Sequence, residues 1–157
     1  MEPGTAYSGT SWAALAFKSI SGSGLRAGAA RVAVIEILAA DPGSLVSPAD
    51  LAVELLRSGT AGSRASVYRS LERLRQLDLV WRYDGSTGGA LYRPVFPGQS
   101  LNCVVEDGSG RVEILDDGFL DSSIGEFAER NGVDLRSHEL ILRGQLREPG
   151  SGIDISR

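Results

Sequence analysis

One predicted helix carries the residues of this sequence that are best suited to binding chemistry. Ser63 marks its start, and its apolar positions fall at i, i+4 and i+7, namely Val67, Leu71 and Leu74. At about 100° per residue, the outward side holds Ala65, Ser66, Tyr68, Arg69 and Arg73. Arginine can clamp a phosphate or a guanine edge, and tyrosine can pack against a thymine methyl group. This face therefore predicts contact with DNA.

The charge of the chain is divided between its two ends. The formal net charge of -4 argues weakly against nucleic acid, because duplex DNA is bound chiefly through Lys and Arg. Residues 1–98 nevertheless carry ten Lys or Arg against eight Asp or Glu, whereas residues 99–157 carry six Arg against twelve acids. This local excess of base favours DNA binding over the alternative, a solvated helix face on which Glu72 and Asp78 partly neutralise the arginines.

Helices followed by a hairpin must position this face. The predicted elements are helices over Trp12–Ser21, Ala29–Ala39 and Ser47–Arg57, the helix opened by Ser63, and strands over Leu79–Tyr83 and Ala90–Val95. A long flexible tip, Asp84–Gly89, joins the two strands. Three consecutive helices followed by a hairpin are the order of a winged helix-turn-helix domain, and the last three of these four helices precede the hairpin. Arg82 and Arg93 on the hairpin either contact phosphate or are ordinary strand-surface arginines.

The second part of the chain predicts a small ββαβ domain. Its elements are strands over Leu101–Val105 and Arg111–Leu115, a helix marked by Leu120, Ile124, Phe127 and Ala128 and ended by Gly132, and a final strand over Asp134–Leu146. So few elements leave much apolar surface uncovered, so we expect this domain to dimerise. The fold class is α+β. The predicted organisation is a flexible tail (1–10), a winged-helix domain (11–95), a hinge (96–100), a dimerisation domain (101–147) and a flexible tail (148–157).

Several function classes are excluded by composition. The chain has one cysteine, Cys103, and one histidine, His138, so it cannot form an intramolecular disulfide or a cysteine-rich zinc finger. Its single histidine forms no recognisable Ser/His/Asp motif for nucleophilic catalysis, and the sequence has no nucleotide-binding glycine loop with lysine. We therefore expect no enzymatic activity. No apolar run is long enough to span a bilayer, and the first residues lack signal-peptide features. We therefore expect a cytoplasmic protein with no membrane partner.

From about Ser19 to Gly144 the chain resembles the ferric uptake regulator (Fur) family of transcription factors. The stretches that carry the resemblance are Gly24-Leu25-Arg26 with Arg31, Val46-Ser47-Pro48-Ala49-Asp50-Leu51, Ala65–Leu74, Gly110-Arg111-Val112-Glu113, Gly132, and His138-Glu139-Leu140 before Arg143-Gly144. The resemblance implies a homodimeric repressor with a winged helix on double-stranded DNA. It also implies that Tyr68 and Arg69 face the major groove and that Arg26 reaches the minor groove. The predicted DNA-binding residues are Arg26, Arg31, Arg64, Ser66, Tyr68, Arg69 and Arg73.

The sequence departs from the family where the family holds metal. Family members carry a His-rich run before a Cys-x-x-Cys, and these regions read Ser100–Cys103 and Val105–Ser109 here. Two further family histidines are replaced by Asn131 and Leu45, and the charged residue near the position of the hinge glutamate is Arg93. Of the usual ligands only His138 and Glu113 remain, with Cys103 not assignable to one ligand position. Because a transition-metal site needs three or four ligands, we expect no metal and no other cofactor.

The remaining candidate ligands have simpler interpretations. His138 fits a hydrogen-bonded histidine on the last strand, and Cys103 fits a small buried hydrophobic residue; a redox switch or haem thiolate would need a partner that the sequence does not locate. The acids between Glu106 and Asp121 fit a solvated rim better than a weak site for Mg or Ca.

The sequence thus predicts a Fur-type DNA-binding regulator that acts as a homodimer without obligatory metal, with an effector that is unidentified. Two alternatives remain open. One is a degenerate partner that dimerises with a related regulator and does not bind DNA. The other is a metalloregulator with atypical ligands.

Overall fold

The computed structural model describes residues 11–24, 27–85 and 89–146. The predicted tails over 1–10 and 148–157, the minor-groove candidate Arg26 and the centre of the hairpin tip lie outside the described residues. The elements are α1 (Trp12–Gly22), α2 (Ala29–Ala40), α3 (Pro48–Arg57), α4 (Arg64–Gln76), β1 (Val80–Gly85), β2 (Gly89–Pro94), β3 (Leu101–Glu106), β4 (Val112–Ile114), α5 (Gly118–Arg130) and β5 (Glu139–Gly144). Helices and strands are both well represented, as the predicted α+β class requires.

The chain divides into two compact units between Gln99 and Ser100. This division falls within the segment predicted as a hinge, 96–100, whose role as a hinge stays a prediction. The first unit contains α1 to α4 and the β1–β2 hairpin, and the second contains β3, β4, α5 and β5. Among the described residues, no helix is long and apolar enough to cross a membrane.

Serine caps begin three of the four helices in the first unit. Ser11 Oγ accepts from Ala14 N at 3.2 Å, Ser47 Oγ from Asp50 N at 3.1 Å, and Ser63 Oγ from Ser66 N at 3.2 Å. Each cap satisfies an amide that the helix itself cannot pair. The apolar faces then pack into one core, which contains Ala16, Ile20, Val34, Ile35, Leu38, Leu51, Leu55, Val67, Leu71 and Leu74.

The hairpin is longer than the sequence predicts. β1 and β2 pair antiparallel from Val80 opposite Pro94 to Gly85 opposite Gly89. Pairing therefore continues through Asp84, Gly85 and Gly89, which the sequence assigns to a flexible tip. Gly89 adopts φ 80°, a conformation that favours glycine. Tyr92 also pairs with Val46, which ties the hairpin to the segment before α3.

The second unit has the predicted ββαβ order. Its sheet runs β4-β3-β5, with β3 antiparallel to β4 and parallel to β5. The final strand is shorter than the predicted Asp134–Leu146, because β5 pairs with β3 only from Leu101 opposite Glu139 to Glu106 opposite Gly144. Residues 134–138 precede the strand and are not part of it.

Helix α5 is only thinly covered by its own unit. The four apolar residues that predict this helix do lie on it. Ala128 is buried, Leu120 and Ile124 are half-buried, and Phe127 is 61% exposed. Phe119, in the first turn of α5, is 81% exposed.

Trp12 joins α1 to the base of the hairpin. Its indole is 5% exposed, and Nε1 donates to Leu79 O at 2.8 Å and to Val95 O at 3.1 Å. Leu79 directly precedes β1 and Val95 directly follows β2, so one side chain holds α1 against both strands at the base of the hairpin.

Trp12→Phe removes this donor while keeping an aromatic ring in the core. Because buried acceptors then lose a partner, the free energy of unfolding should fall by about 1–3 kcal/mol, measured by urea denaturation. Tyr68→Phe removes a hydroxyl from a side chain that is 49% exposed and should change stability by less than about 0.5 kcal/mol. Equal losses in the two variants would contradict the role of the indole.

Candidate nucleic-acid interface

The orientation of α4 is set by its buried stripe. Val67, Leu71 and Leu74 have no exposed surface, which confirms the predicted apolar face. Tyr68, one residue beyond Val67, is 49% exposed, and Arg69 is exposed as well. The amphipathic spacing therefore places an aromatic ring and a guanidinium outward, as predicted.

Helix α2 adds a basic side chain to this surface. Arg31, together with the α4 residues Tyr68, Arg69, Glu72, Arg73 and Gln76, lines an open groove of about 400 Å³. The groove thus holds three arginines and one carboxylate. These six residues form the α4 groove.

Two arginines of the α4 groove have weak intramolecular partners. Arg69 Nη2 donates to Ser66 Oγ at 3.4 Å, and Arg73 Nη1 donates to Gln76 Oε1 at 3.1 Å. Both acceptors are neutral, so a phosphate or a base edge could replace them with a gain in electrostatic energy. These guanidiniums are available to a ligand.

Glu72 does not cancel this charge, because a different arginine already holds it. Arg75 Nε donates to Glu72 Oε2 at 3.0 Å and Arg75 Nη2 to Oε1 at 2.8 Å, a bidentate pair. The hydrogen bonds from Arg75 lower the pKa of the Glu72 carboxyl, and the same bonds raise the pKa of Arg75. The groove therefore keeps a net positive charge.

The structure brings together most of the predicted DNA-binding residues. Arg31, Tyr68, Arg69 and Arg73 share the α4 groove, and Ser66 is hydrogen-bonded to one of them. Arg64, the first residue of α4, is exposed but does not line the groove. Sequence reasoning missed Glu72 and Gln76 as groove residues, although their i+4 and i+8 spacing from Tyr68 places them on the same helical face.

The hairpin arginines differ from each other. Arg82 is paired with Asp84, with Nη2 2.7 Å from Oδ1, and its guanidinium carbon lies 5.9 Å from the centre of the Tyr92 ring. The hydrogen bond to Asp84 raises the pKa of Arg82. Arg93 lies on β2 opposite Trp81 of β1, and its Nε donates to Pro42 O at 3.4 Å.

The ligand set of the second unit does not fit a transition metal. His138 Nε2 lies 3.0 Å from Asn102 Oδ1 and 3.2 Å from Asp121 Oδ1, and Asn102 Nδ2 donates to Asp121 Oδ1 at 2.7 Å. This cluster offers one imidazole and one carboxylate around a neutral amide. Among residues 11–24, 27–85 and 89–146, no three His, Cys, Asp or Glu side chains form a group that could hold a metal ion.

The other candidate ligands lie elsewhere. Cys103 is fully buried, and burial raises the pKa of its thiol, which disfavours the thiolate that a metal needs. Glu113 is paired with Arg111. Sequence reasoning overlooked Asn102, although a polar residue inside the apolar strand Leu101–Glu106 is a signal that it needs buried partners.

Comparisons with known proteins agree with this architecture. The sequence profile described as the ferric uptake regulator family matches residues 22–143. The ferric uptake regulation protein of Shigella flexneri is 27% identical over 126 residues, which span 80% of this chain and 84% of that protein.

Two solved structures show the same fold. The ferric uptake regulator of Pseudomonas aeruginosa with manganese gives a TM-score of 0.73 at 22% identity, covering 85% of this chain and 99% of that one. The regulator of Vibrio cholerae, described for a rearrangement of its DNA-binding domains, gives 0.65 at 22% identity, covering 82% and 98%. With the family profile spanning both units, the chain belongs to the ferric uptake regulator family of transcription regulators.

Proposed function

We propose that this protein is a sequence-specific DNA-binding repressor that acts as a homodimer and without obligatory metal. The observation that carries the proposal is the α4 groove, in which three arginines and an exposed tyrosine share one open surface. Under this proposal the protein acts in the cytoplasm as a regulator and is not an enzyme.

DNA binding is supported by geometry and by family. A helix that buries one face and presents Tyr68 and Arg69 on the other can enter the major groove, where an arginine reads a guanine edge or binds phosphate. Arg31 and Arg73 widen the basic surface on either side. The Vibrio cholerae relative is described as having DNA-binding domains, and family membership makes the same role the expected one here.

Homodimerisation is supported by uncovered apolar surface in the second unit. Among the described residues, eight large apolar side chains are exposed, and five of them, Phe119, Phe127, Val133, Leu135 and Leu142, belong to this unit. An apolar surface of this kind on so small a unit is typical of an interface. Two winged helices held by such a dimer would bind two half-sites, and occupancy of a promoter by the dimer would repress transcription.

Metal independence is supported by the contacts of the remaining ligands. His138 and Asp121 are hydrogen-bonded with Asn102, Cys103 is buried as a thiol, and Glu113 is paired with Arg111. The structure of the Pseudomonas aeruginosa relative contains manganese. The proposal is therefore that this chain shares the fold of that relative but does not need a metal to bind DNA.

The DNA assignment is tested on a site selected from random-sequence duplex DNA. Arg69→Ala and Tyr68→Ala should each weaken binding by about 5- to 150-fold, because a base contact contributes about 1–3 kcal/mol. Fluorescence anisotropy at one fixed salt concentration measures the change. Arg57→Ala is the matched control, because this arginine has a 73% exposed side chain on α3 and its ion pair is with Glu54 on the same helix. If selection recovers no DNA, the chain is a partner that dimerises without binding DNA.

The dimer interface is tested by placing a charge on α5. Phe127→Asp should raise the dimer dissociation constant at least about tenfold, because a carboxylate would be buried without a partner. Val53→Asp, at a side chain that is 48% exposed on α3, should leave the dimer intact. Sedimentation velocity over a concentration series distinguishes the two, and a monomer in the unmodified protein would contradict the assignment.

Metal independence is tested by elemental analysis of the purified dimer. Zinc, iron and manganese should all be far below one atom per chain, and a strong chelator should leave the DNA affinity unchanged. The Pseudomonas aeruginosa regulator, treated in parallel, provides the positive control for manganese. One metal per chain, or loss of DNA binding with the chelator, would show a metalloregulator with atypical ligands.

A further inference from the structure

A second pocket lies in the first unit, and none of its lining residues belongs to α4. It is a partly open pocket of about 190 Å³ between α1, the turn after α2 and the end of the hairpin. Its lining combines Trp12, Pro42, Gly43, Pro94 and Phe96 with the polar residues Arg93 and Gln99. The volume is below the roughly 300 Å³ at which pockets for drug-sized ligands begin, so it suits a molecule of metabolite size.

Hydrogen bonds hold each wall of this pocket in place. Trp12 is anchored by its two bonds to backbone carbonyls, described above. The turn that carries Pro42 is closed by Ser44 N donating to Asp41 O at 3.2 Å. The turn after β2 is closed twice, because Gln99 N donates to Phe96 O and Phe96 N donates to Gln99 Oε1, both at 2.9 Å. The pocket is therefore formed before any ligand enters, which limits the entropic cost of binding.

The polar side chains of the pocket are hydrogen-bond donors. Among the described residues that line it, Arg93 is the charged one. Within the described part of the chain, the hydrogen bond of its guanidinium is the long one from Nε to Pro42 O, which leaves both terminal nitrogens for a ligand. Gln99 uses its oxygen to accept from Phe96 N, so its amide NH₂ is also available. Two residues with available donors line one pocket, and no carboxylate is among its described lining residues, so the site suits an anionic acceptor.

We propose that this pocket binds a small organic carboxylate with an apolar body. Arg93 would bind the carboxylate through its terminal nitrogens, Gln99 would donate to it, and the rings of Trp12 and Phe96 would pack against the apolar part. Inorganic phosphate or the DNA backbone would satisfy the guanidinium but would leave the aromatic and proline walls without a partner. The site goes beyond the proposed regulation of DNA and does not depend on it.

Benzoate is the probe, and the full-length protein labelled with ¹⁵N is titrated by NMR. The chain has two tryptophans, Trp12 in the pocket wall and Trp81 outside the lining, so their indole N–H signals report site and reference in one sample. Trp81→Phe assigns the two signals. Benzoate should shift the Trp12 signal saturably while the Trp81 signal stays in place, and neutral benzamide should bind at least about tenfold more weakly.

Three variants place the effect on individual residues. Arg93→Gln should weaken benzoate binding at least about tenfold, because it removes the cation. Gln99→Glu keeps the acceptor for Phe96 N and replaces the free NH₂ with a charge that repels benzoate, so it should weaken binding as well. Arg82→Gln, on the adjacent strand β1 but outside the pocket, should bind benzoate as the unmodified protein does. Thermal melting of each variant establishes that it is folded.

Several outcomes would overturn the proposal. Equal affinity for benzoate and benzamide would exclude recognition of the charge, and inorganic phosphate binding as well as benzoate would exclude the apolar part of the site. Unchanged benzoate affinity in both Arg93→Gln and Gln99→Glu would exclude these residues. No saturable shift of the Trp12 signal up to about 10 mM benzoate would exclude the site itself. Because no DNA is present, none of these outcomes depends on the DNA assignment.

Discussion

The rotation of α4 about its own axis is the constraint on which the proposed interface depends. Val67, Leu71 and Leu74 are fully buried, and exposing any one of them would cost about 1.5–3 kcal/mol. The helix therefore cannot turn without a large loss of stability, and Tyr68 and Arg69 are held outward by residues that never touch a ligand. The Ser63 cap fixes where the first turn begins, so the same side chains are also fixed along the helix axis.

In the second unit, the elements are held together by hydrogen bonds to a buried polar side chain. Asn102 is 4% exposed in the middle strand, and its amide uses both ends, donating to Asp121 and accepting from His138. These contacts join β3 to α5 and to the residue before β5. An imidazole and a carboxylate that could have served a metal are thereby used to satisfy a neutral side chain. Asn102 thus links His138 and Asp121 in one hydrogen-bonded cluster.

Local patterns predicted the elements well, and contacts between distant residues explain what was missed. The period of α4 and the serine caps are properties of short stretches, so the helix and its outward face could be derived from the sequence. The ends of β5 could not, because they are set by pairing with β3, which begins 38 residues earlier at Leu101 opposite Glu139. The same limit applies to the pocket around Arg93, whose walls come from three separate parts of the first unit.

The parallel pairing of β3 and β5 determines how early in translation the second sheet can be completed. The middle strand of the second sheet gains its last neighbour only after α5 and β5 have been made. The first unit ends at Gln99, and the core residues that the structure describes for it all precede that position. The helices and hairpin can thus complete their core while the strand that finishes the second unit is still in the ribosome. During translation the chain order therefore allows the first unit to fold before the second unit has its last strand.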